Sequence, residues 1–328
     1  MLRFIIRRLV MMVPMLLAIS IVAYIVMELP PGDYLTTYIM QLQTSGQVVQ
    51  QDQADALARQ YGLDQPTYIR YGRWVWRMLH GDFGVSLQWQ LPVASLIWSR
   101  LGLTFAVTFV TMLVTWVVAL PIGVYSATHQ YSAGDYIATF IGFIGLGVPD
   151  FLIALVALWV GYSYFGANLT GLYSQEFQTA SMSFAKFADM LKHLWMPILV
   201  LGMAGMAGSI RIMRANLLDE VRKPYVVTAR AKGLKEGSLL WKYPVRIALN
   251  PFISTIGWSL PGLISGATIV SVVLNIPMNG PLLLQALQSQ DMYLAGAFIM
   301  LLSALTMVGT LVSDILLAWL DPRIRYES

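Results

Sequence analysis

Few side chains in these 328 residues are spaced for covalent chemistry. There is no cysteine, which excludes thiol catalysis, disulfide scaffolds and cysteine–zinc sites. The three histidines, His80, His129 and His193, lie far apart in the chain, and none has metal-ligand spacing. A membrane enzyme would need a convergent His-, Cys- or Ser-centred set, and the sequence offers none. No Gly-x-x-x-x-Gly-Lys-Ser/Thr phosphate loop occurs, so the chain does not hydrolyse ATP by that route. What remains is a lone acid inside an apolar run and one strongly basic loop.

The acid is Asp150, in Gly147-Val148-Pro149-Asp150. An ionised carboxylate deep in an apolar segment is costly, so it should face a bundle interior, a wet cavity or a partner. Pro149 removes a backbone donor and Gly147 loosens the turn, which suits a kinked, cavity-lining helix. Contact with a cationic or polyhydroxylated substrate is one reading. A hydrogen bond to a neighbouring chain, or a protonated acid, is the structural alternative.

The basic loop lies within 211–250 and holds nine of the 21 Lys and Arg residues. Pro224 suits the first turn of a helix, with Asp219 and Glu220 just ahead of it, near the positive helix end. Tyr225, Ala229 and Gly233 recur every four residues and share one helical face. Small Ala and Gly there would admit another backbone closely, and Gly233 can end the helix in a left-handed turn. A second short helix is expected from about Gly237 to Leu249. The result is a helix–turn–helix elbow surrounded by cations.

The elements that carry these features are membrane spans. Apolar types make up 57% of the chain and charged types 12%, against roughly half and a quarter in soluble domains. A crossing helix needs roughly 20 mostly apolar residues. Runs of this kind predict six spans: Leu9 to Met27, Leu101 to Thr128, Tyr136 past Val160 with Asp150 inside, Leu194 to Ile210, Phe252 to Leu274, and Met292 to Leu320 with Asp314 inside. The first follows Arg3, Arg7 and Arg8 but is too long for a signal-peptide core, so it reads as retained. With the N-terminus inside, 14 of the 21 cations fall on inner segments and seven on outer ones, which places both termini in the cytoplasm. The outer segment 29–100 holds Trp74, Trp76, Trp89 and Trp98, so part of it should lie along the outer surface. Gly202, Gly205 and Gly208, the pair Ala204 and Gly208, and the pair Gly262 and Gly266 offer small faces for helix packing.

The run Thr228-Ala229-Arg230-Ala231-Lys232-Gly233-Leu234 resembles the cytoplasmic "EAA" loop of ABC-transporter permeases. Further matches narrow the resemblance to the first, B-type permease of the oligopeptide/dipeptide/nickel importer family. They are the Arg3 to Leu9 start, Tyr61 to Pro66 with Gly81 to Ser86, Ile276-Pro277-Met278-Asn279-Gly280 with Asp291-Met292-Tyr293, and Asp321-Pro322-Arg323-Ile324-Arg325. The Glu-Ala-Ala opening is Val227-Thr228-Ala229 here, so only Ala229 and Gly233 hold. Ser271 stands where the family often has Glu.

The resemblance implies an all-α integral membrane protein with the type I ABC importer permease fold. Its domains would be an N-terminal helix plus periplasmic segment over 1–100 and a five-helix core over 101–328. It implies half of a translocation pathway for a small solute, oligopeptides or dipeptides first, with oligosaccharides or related solutes as the alternative. An ion-coupled secondary transporter using Asp150 is the competing class, although no repeated halves are seen. The implied partners are a second related permease, two ATP-binding subunits carrying ATP and Mg, a periplasmic or lipid-anchored solute-binding protein, and membrane lipid. No metal, no cofactor of its own and no nucleic acid is expected. The implied site is a bacterial inner membrane. Tyr225, Thr228, Ala229, Arg230, Lys232, Gly233 and Lys235 would couple to the ATPase, with Asp150, Pro149, Ser271 and Asn275 as pathway candidates.

Overall fold

A computed structural model describes residues 2–28 and 65–320; for 2–4, 257–266 and 318–320 it describes the backbone only. The described residues are mostly helical and form no strand; Val85 and Pro92 make an isolated bridge. Part of Tyr61 to Pro66 and all of Asp321 to Arg325 lie outside this description. The helices are α1 (Leu2–Glu28), α2 (Thr67–Leu79), α3 (Val93–Thr128), α4 (Ala133–Gly147), α5 (Asp150–Phe165), α6 (Phe184–Glu220), α7 (Pro224–Ala231), α8 (Glu236–Lys242), α9 (Pro244–Ala248), α10 (Asn250–Val273), α11 (Asn279–Gln288) and α12 (Met292–Leu320).

Four helices are long and apolar enough to cross a membrane: Ile5–Glu28, Val93–Thr128, Phe184–Glu220 and Met292–Leu317. The α4–α5 pair adds a fifth if it counts as one bent span. The fifth predicted span coincides with α10, whose middle falls in 257–266, so six is not reached among the described residues. The expected continuous third span is corrected. α4 and α5 meet at 103° across a two-residue break. Proline disfavours the α region in the residue before it. Val148 accordingly turns extended, at φ −101° and ψ 126°, and Pro149 takes the N-cap position of a new helix. Each arm, about 22–24 Å long at 1.5 Å per residue, is shorter than a ~30 Å hydrocarbon core.

The fourth predicted span is the reverse case. Charges at Lys186, Asp189, Lys192, His193, Arg211 and Arg214 confine the apolar run to 194–210. α6 nevertheless runs 37 residues, about 55 Å. Charge does not stop a helix when it is satisfied. Asp189 accepts the Ser174 N–H and hydroxyl, both at 2.7 Å, and Arg214 is paired, as described below.

Two compact units are formed. In the first (Met1–Gly102 and Asn279–Val308), Val93, Ile97, Leu282, Ala286, Leu294 and Phe298 form the core. In the second (Leu103–Met278 and Gly309–Ser328), α6 is the axis, with α4, α5, α9 and α10 packed on it. Small residues set that spacing. A Cβ on Gly145 would sit 3.0 Å from the Met203 carbonyl, one on Gly123 would lie 2.6 Å from Met213 Cβ, and one on Gly202 would lie 3.1 Å from Thr115 Oγ1. Gly202 and Gly205 therefore face α3, as a packing role requires. Gly208 faces open space, so Ala204–Gly208 is not the contact pair in this chain; Ala207 is, against Gly142 and Gly145.

Gly145→Leu should therefore overpack the α4–α6 contact and cost about 1–3 kcal/mol. Gly208→Ala should be neutral or stabilising by roughly 0.5–1 kcal/mol, from helix propensity alone. Thermal unfolding of the two purified variants separates them; equal shifts would contradict the packing described.

Candidate functional site

The elbow begins where α6 ends at Glu220. Pro224 occupies the first turn of α7, as its preset φ favours. α7 closes in a Schellman motif: the Leu234 N–H reaches the Ala229 carbonyl at 3.5 Å and the Gly233 N–H reaches Arg230 at 3.0 Å. Gly233 holds φ +79°, a region glycine enters without Cβ strain. A Cβ there would meet nothing within 4 Å, so backbone conformation, not crowding inside this chain, calls for the glycine. The expected second helix is two pieces, α8 and α9, because Pro244 interrupts it after Tyr243.

The elbow has its own small core of Val226, Ala229 and Leu239, flanked by Leu234 and Tyr243. Ala229 thus faces inward, where its size lets α8 close on α7. Tyr225, Thr228, Arg230, Lys232, Gly233 and Lys235 are exposed. Arg230 makes a bidentate pair with Glu236, with Nη2 to Oε2 at 3.1 Å, that staples α7 to α8. The guanidinium holds the Glu236 carboxyl below its ordinary range, so the pair stands at neutral pH and is lost as pH falls through that lowered value. Tyr225 donates to Glu220; burial, then that carboxylate, raises its pKa. Lys232 and Lys235 have no ionic partner among the described residues.

The far end of the elbow is anchored in the bundle. Val245 and Ala248 of α9 pack with Met213 and Leu217 of α6, Val124 and Ala127 of α3, and Phe252 of α10. Just beside this cluster, Arg214 donates from Nε and Nη2 to the two oxygens of Asp135, both at 3.0 Å. Asp135 is buried at the start of α4 and also accepts the Tyr131 N–H. Ser132 caps that helix through the Asp135 N–H. Sequence reading missed this pair: Arg214 was one more loop cation, although Ser132-x-x-Asp135 is a capping signature.

The pathway candidates divide. Asp150 is the first residue of α5, past the bend, where the positive helix end favours a carboxylate. It is partly exposed, with exposed Pro149 before it. Ser271 is buried and donates its hydroxyl to the Thr268 carbonyl of its own helix. Asn275 ends α10 in the left-handed region, at φ +53°, in a second Schellman motif: the Ile276 N–H reaches Ser271 at 2.8 Å and the Asn275 N–H reaches Val272 at 3.2 Å. Ser271 and Asn275 thus share one helix end, and no hydrogen bond joins Asp150 to either. No cluster of metal-ligating side chains occurs among the described residues.

A further buried acid, in the first unit, was not anticipated either. Asp291 is fully buried. It accepts the Ser86 hydroxyl at 2.5 Å and the Gln88 N–H at 3.1 Å, and caps α12 through the Leu294 N–H at 3.1 Å. The stretches 81–86 and 291–293, some two hundred residues apart, therefore form one joint. The signal was available: a lone acid directly before an apolar run reads as an N-cap.

Residues 119–326 match the family described as binding-protein-dependent transport system inner membrane component, and 1–108 match its N-terminal companion. The chain is 36% identical over 324 residues to the oligopeptide transport system permease protein AppB of Bacillus subtilis, covering 98% of this chain and 99% of that protein. It is 30% identical over 341 residues to the dipeptide transport system permease protein DppB of Alkalihalophilus pseudofirmus, covering 99% and 100%. To the oligopeptide transport system permease protein OppB of Mycobacterium tuberculosis it is 31% identical over 282 residues, covering 83% and 84%. The chain belongs to the family of inner membrane components of binding-protein-dependent transport systems, and is a multi-pass membrane protein.

Asp291→Ala should cost about 2–4 kcal/mol, combining a lost helix cap with a stranded buried hydroxyl. Ser86→Ala should cost about 1 kcal/mol, because the carboxylate keeps its two backbone donors. Melting of the two purified variants orders them; a larger loss in Ser86→Ala would refute the joint.

Proposed function

We propose that this family member is the permease subunit of an ATP-driven importer of oligopeptides or dipeptides, in which the elbow receives force from a separate ATPase. The carrying observation is mechanical. α7 and α8 form a self-cored, ion-stapled body whose upstream end continues α6 and whose downstream end is wedged by α9 between α6, α3 and α10. A displacement of such a body is passed to the bundle instead of being absorbed in a loose loop. Thr228, Arg230, Lys232, Gly233 and Lys235 supply the outward face, with Tyr225 at its edge; Ala229 acts from within by letting the two helices close.

The peptide class rests on the similarity to oligopeptide and dipeptide permeases. The absence of a phosphate loop in the sequence supports ATP and Mg on partner chains. We assign those partners as two ATP-binding subunits, a second related permease and an outer solute-binding protein. The surplus of Lys and Arg in 211–250 supports a bacterial inner-membrane orientation with both termini inside. Residues 1–100 would form an N-terminal transmembrane helix plus periplasmic segment and 101–328 the core permease domain. Asp150, at the turn between two short helices, is the strongest of the pathway candidates.

Gly233→Trp should reduce ATP-dependent peptide uptake at least tenfold while membrane levels stay unchanged. Both a crowded outer face and a strained left-handed position predict that loss. Lys232→Cys should crosslink to a cysteine-bearing ATPase partner. Uptake at the unsubstituted rate in Gly233→Trp, or uptake that follows the proton gradient while ATP is held constant, would overturn the reading.

A further inference from the structure

The helix α2 is amphipathic in an unusual sense: both of its faces carry apolar groups. One face is occupied. Tyr71 and Trp74 pack on Tyr24 of α1, with ring centroids 5.4 and 5.7 Å away, the Tyr71 hydroxyl meets Ser20 at 2.8 Å, and Arg70 pairs with Glu28. Ser20, Tyr24 and Glu28 are spaced four apart, so this is one stripe of α1. The other face is uncovered among the described residues: Tyr68 is 74% exposed, Trp76 64% and Leu79 77%, with exposed Ile69 beside them and exposed Arg73 at the rim.

The contacts with α1 set the depth of this helix. Ile5–Glu28 is a candidate span of 24 residues, about 36 Å long against a core of about 30 Å. Centred in the bilayer, its Glu28 end stands about 3 Å outside the hydrocarbon, Tyr24 about 3 Å inside and Ser20 about 9 Å inside. A helix bound to that stretch lies at the headgroup–acyl boundary, the depth at which Trp and Tyr are favoured. A free apolar face at that depth meets lipid.

We propose that α2 is an interfacial anchor whose Tyr68–Ile69–Trp76–Leu79 face is seated in phospholipid, with Arg73 reaching lipid phosphate. The occupant is bilayer lipid and not protein, because the α1 stripe that holds α2 is itself part of a membrane span. This inference rests on α1 crossing the membrane and is independent of what the protein transports.

The absence of cysteine from the chain allows a clean test. Single-cysteine variants Tyr68→Cys, Trp76→Cys and Leu79→Cys of the full chain, with Lys232→Cys as a water-exposed comparison, are labelled with an environment-sensitive dye. They are placed in phosphatidylcholine–phosphatidylglycerol vesicles. The first three labels should be quenched several-fold more by nitroxide-bearing lipid than by iodide, and the fourth should show the reverse. Hydroxyl-radical footprinting of the unsubstituted protein in nanodiscs gives a mutation-free reading, in which Tyr68 and Trp76 should be protected relative to exposed Trp241. Iodide access at all four positions, or oxidation equal to that of Trp241, would overturn the proposal. So would protection that arises only when a solute-binding protein is added.

Discussion

A carboxylate inside an apolar bundle is costly unless another polar group meets it, and this constraint shapes the described part of the chain. An unpaired buried carboxylate or backbone group costs several times what a satisfied one contributes. Asp135 is met by Arg214, Asp189 by Ser174, and Asp291 by Ser86 with two backbone N–H groups. The carbonyls left open at the ends of α7 and α10 are closed by Schellman turns at Gly233 and Asn275. Pro14, Pro121 and Pro197 are carried inside continuous helices, whereas at Pro149 the chain turns by 103° between α4 and α5.

The elbow shows the same rule under different solvent conditions. Its Arg230–Glu236 staple is exposed and screened by water, so it fixes geometry more than it adds stability. The Asp135–Arg214 pair has the same bidentate form but a buried carboxylate, and there the loss of either partner would strand a charge. Rigidity in the elbow comes instead from its small core and from the packing of α9 on α6. The segment therefore has screened ionic contacts at its surface and packed apolar contacts at its root, as the proposed coupling role requires.

Most of the architecture was legible along the chain. Long apolar runs give membrane helices, Pro224 and Gly233 bound α7, and the crowding of cations in 211–250 marks a solvated loop. The misreadings have physical causes. Counting charges shortened α6, because a charge reads as a boundary until its partner is seen. Treating Asp150 as one residue inside a continuous span underestimated Pro149, which acts on Val148 as well as on itself. Ala229 was placed on an outer face by periodicity, but periodicity does not say which side α8 will cover. Gly208 looked equivalent to Gly205 for the same reason, and only the neighbouring helix distinguishes them.

The sequence by itself determined the class of protein, the approximate positions of most of its long apolar helices and the location of the basic elbow, because these depend on local hydrophobicity, proline and glycine. It also carried the motifs by which the chain resembles a permease. Only the tertiary structure decided which acids are locked by distant partners, that stretches near residues 86 and 291 form a single joint, and which side of α2 the described residues leave uncovered. Those outcomes depend on contacts between segments far apart in the chain. A residue's own type sets what it can bond to, and the fold alone sets what is within reach.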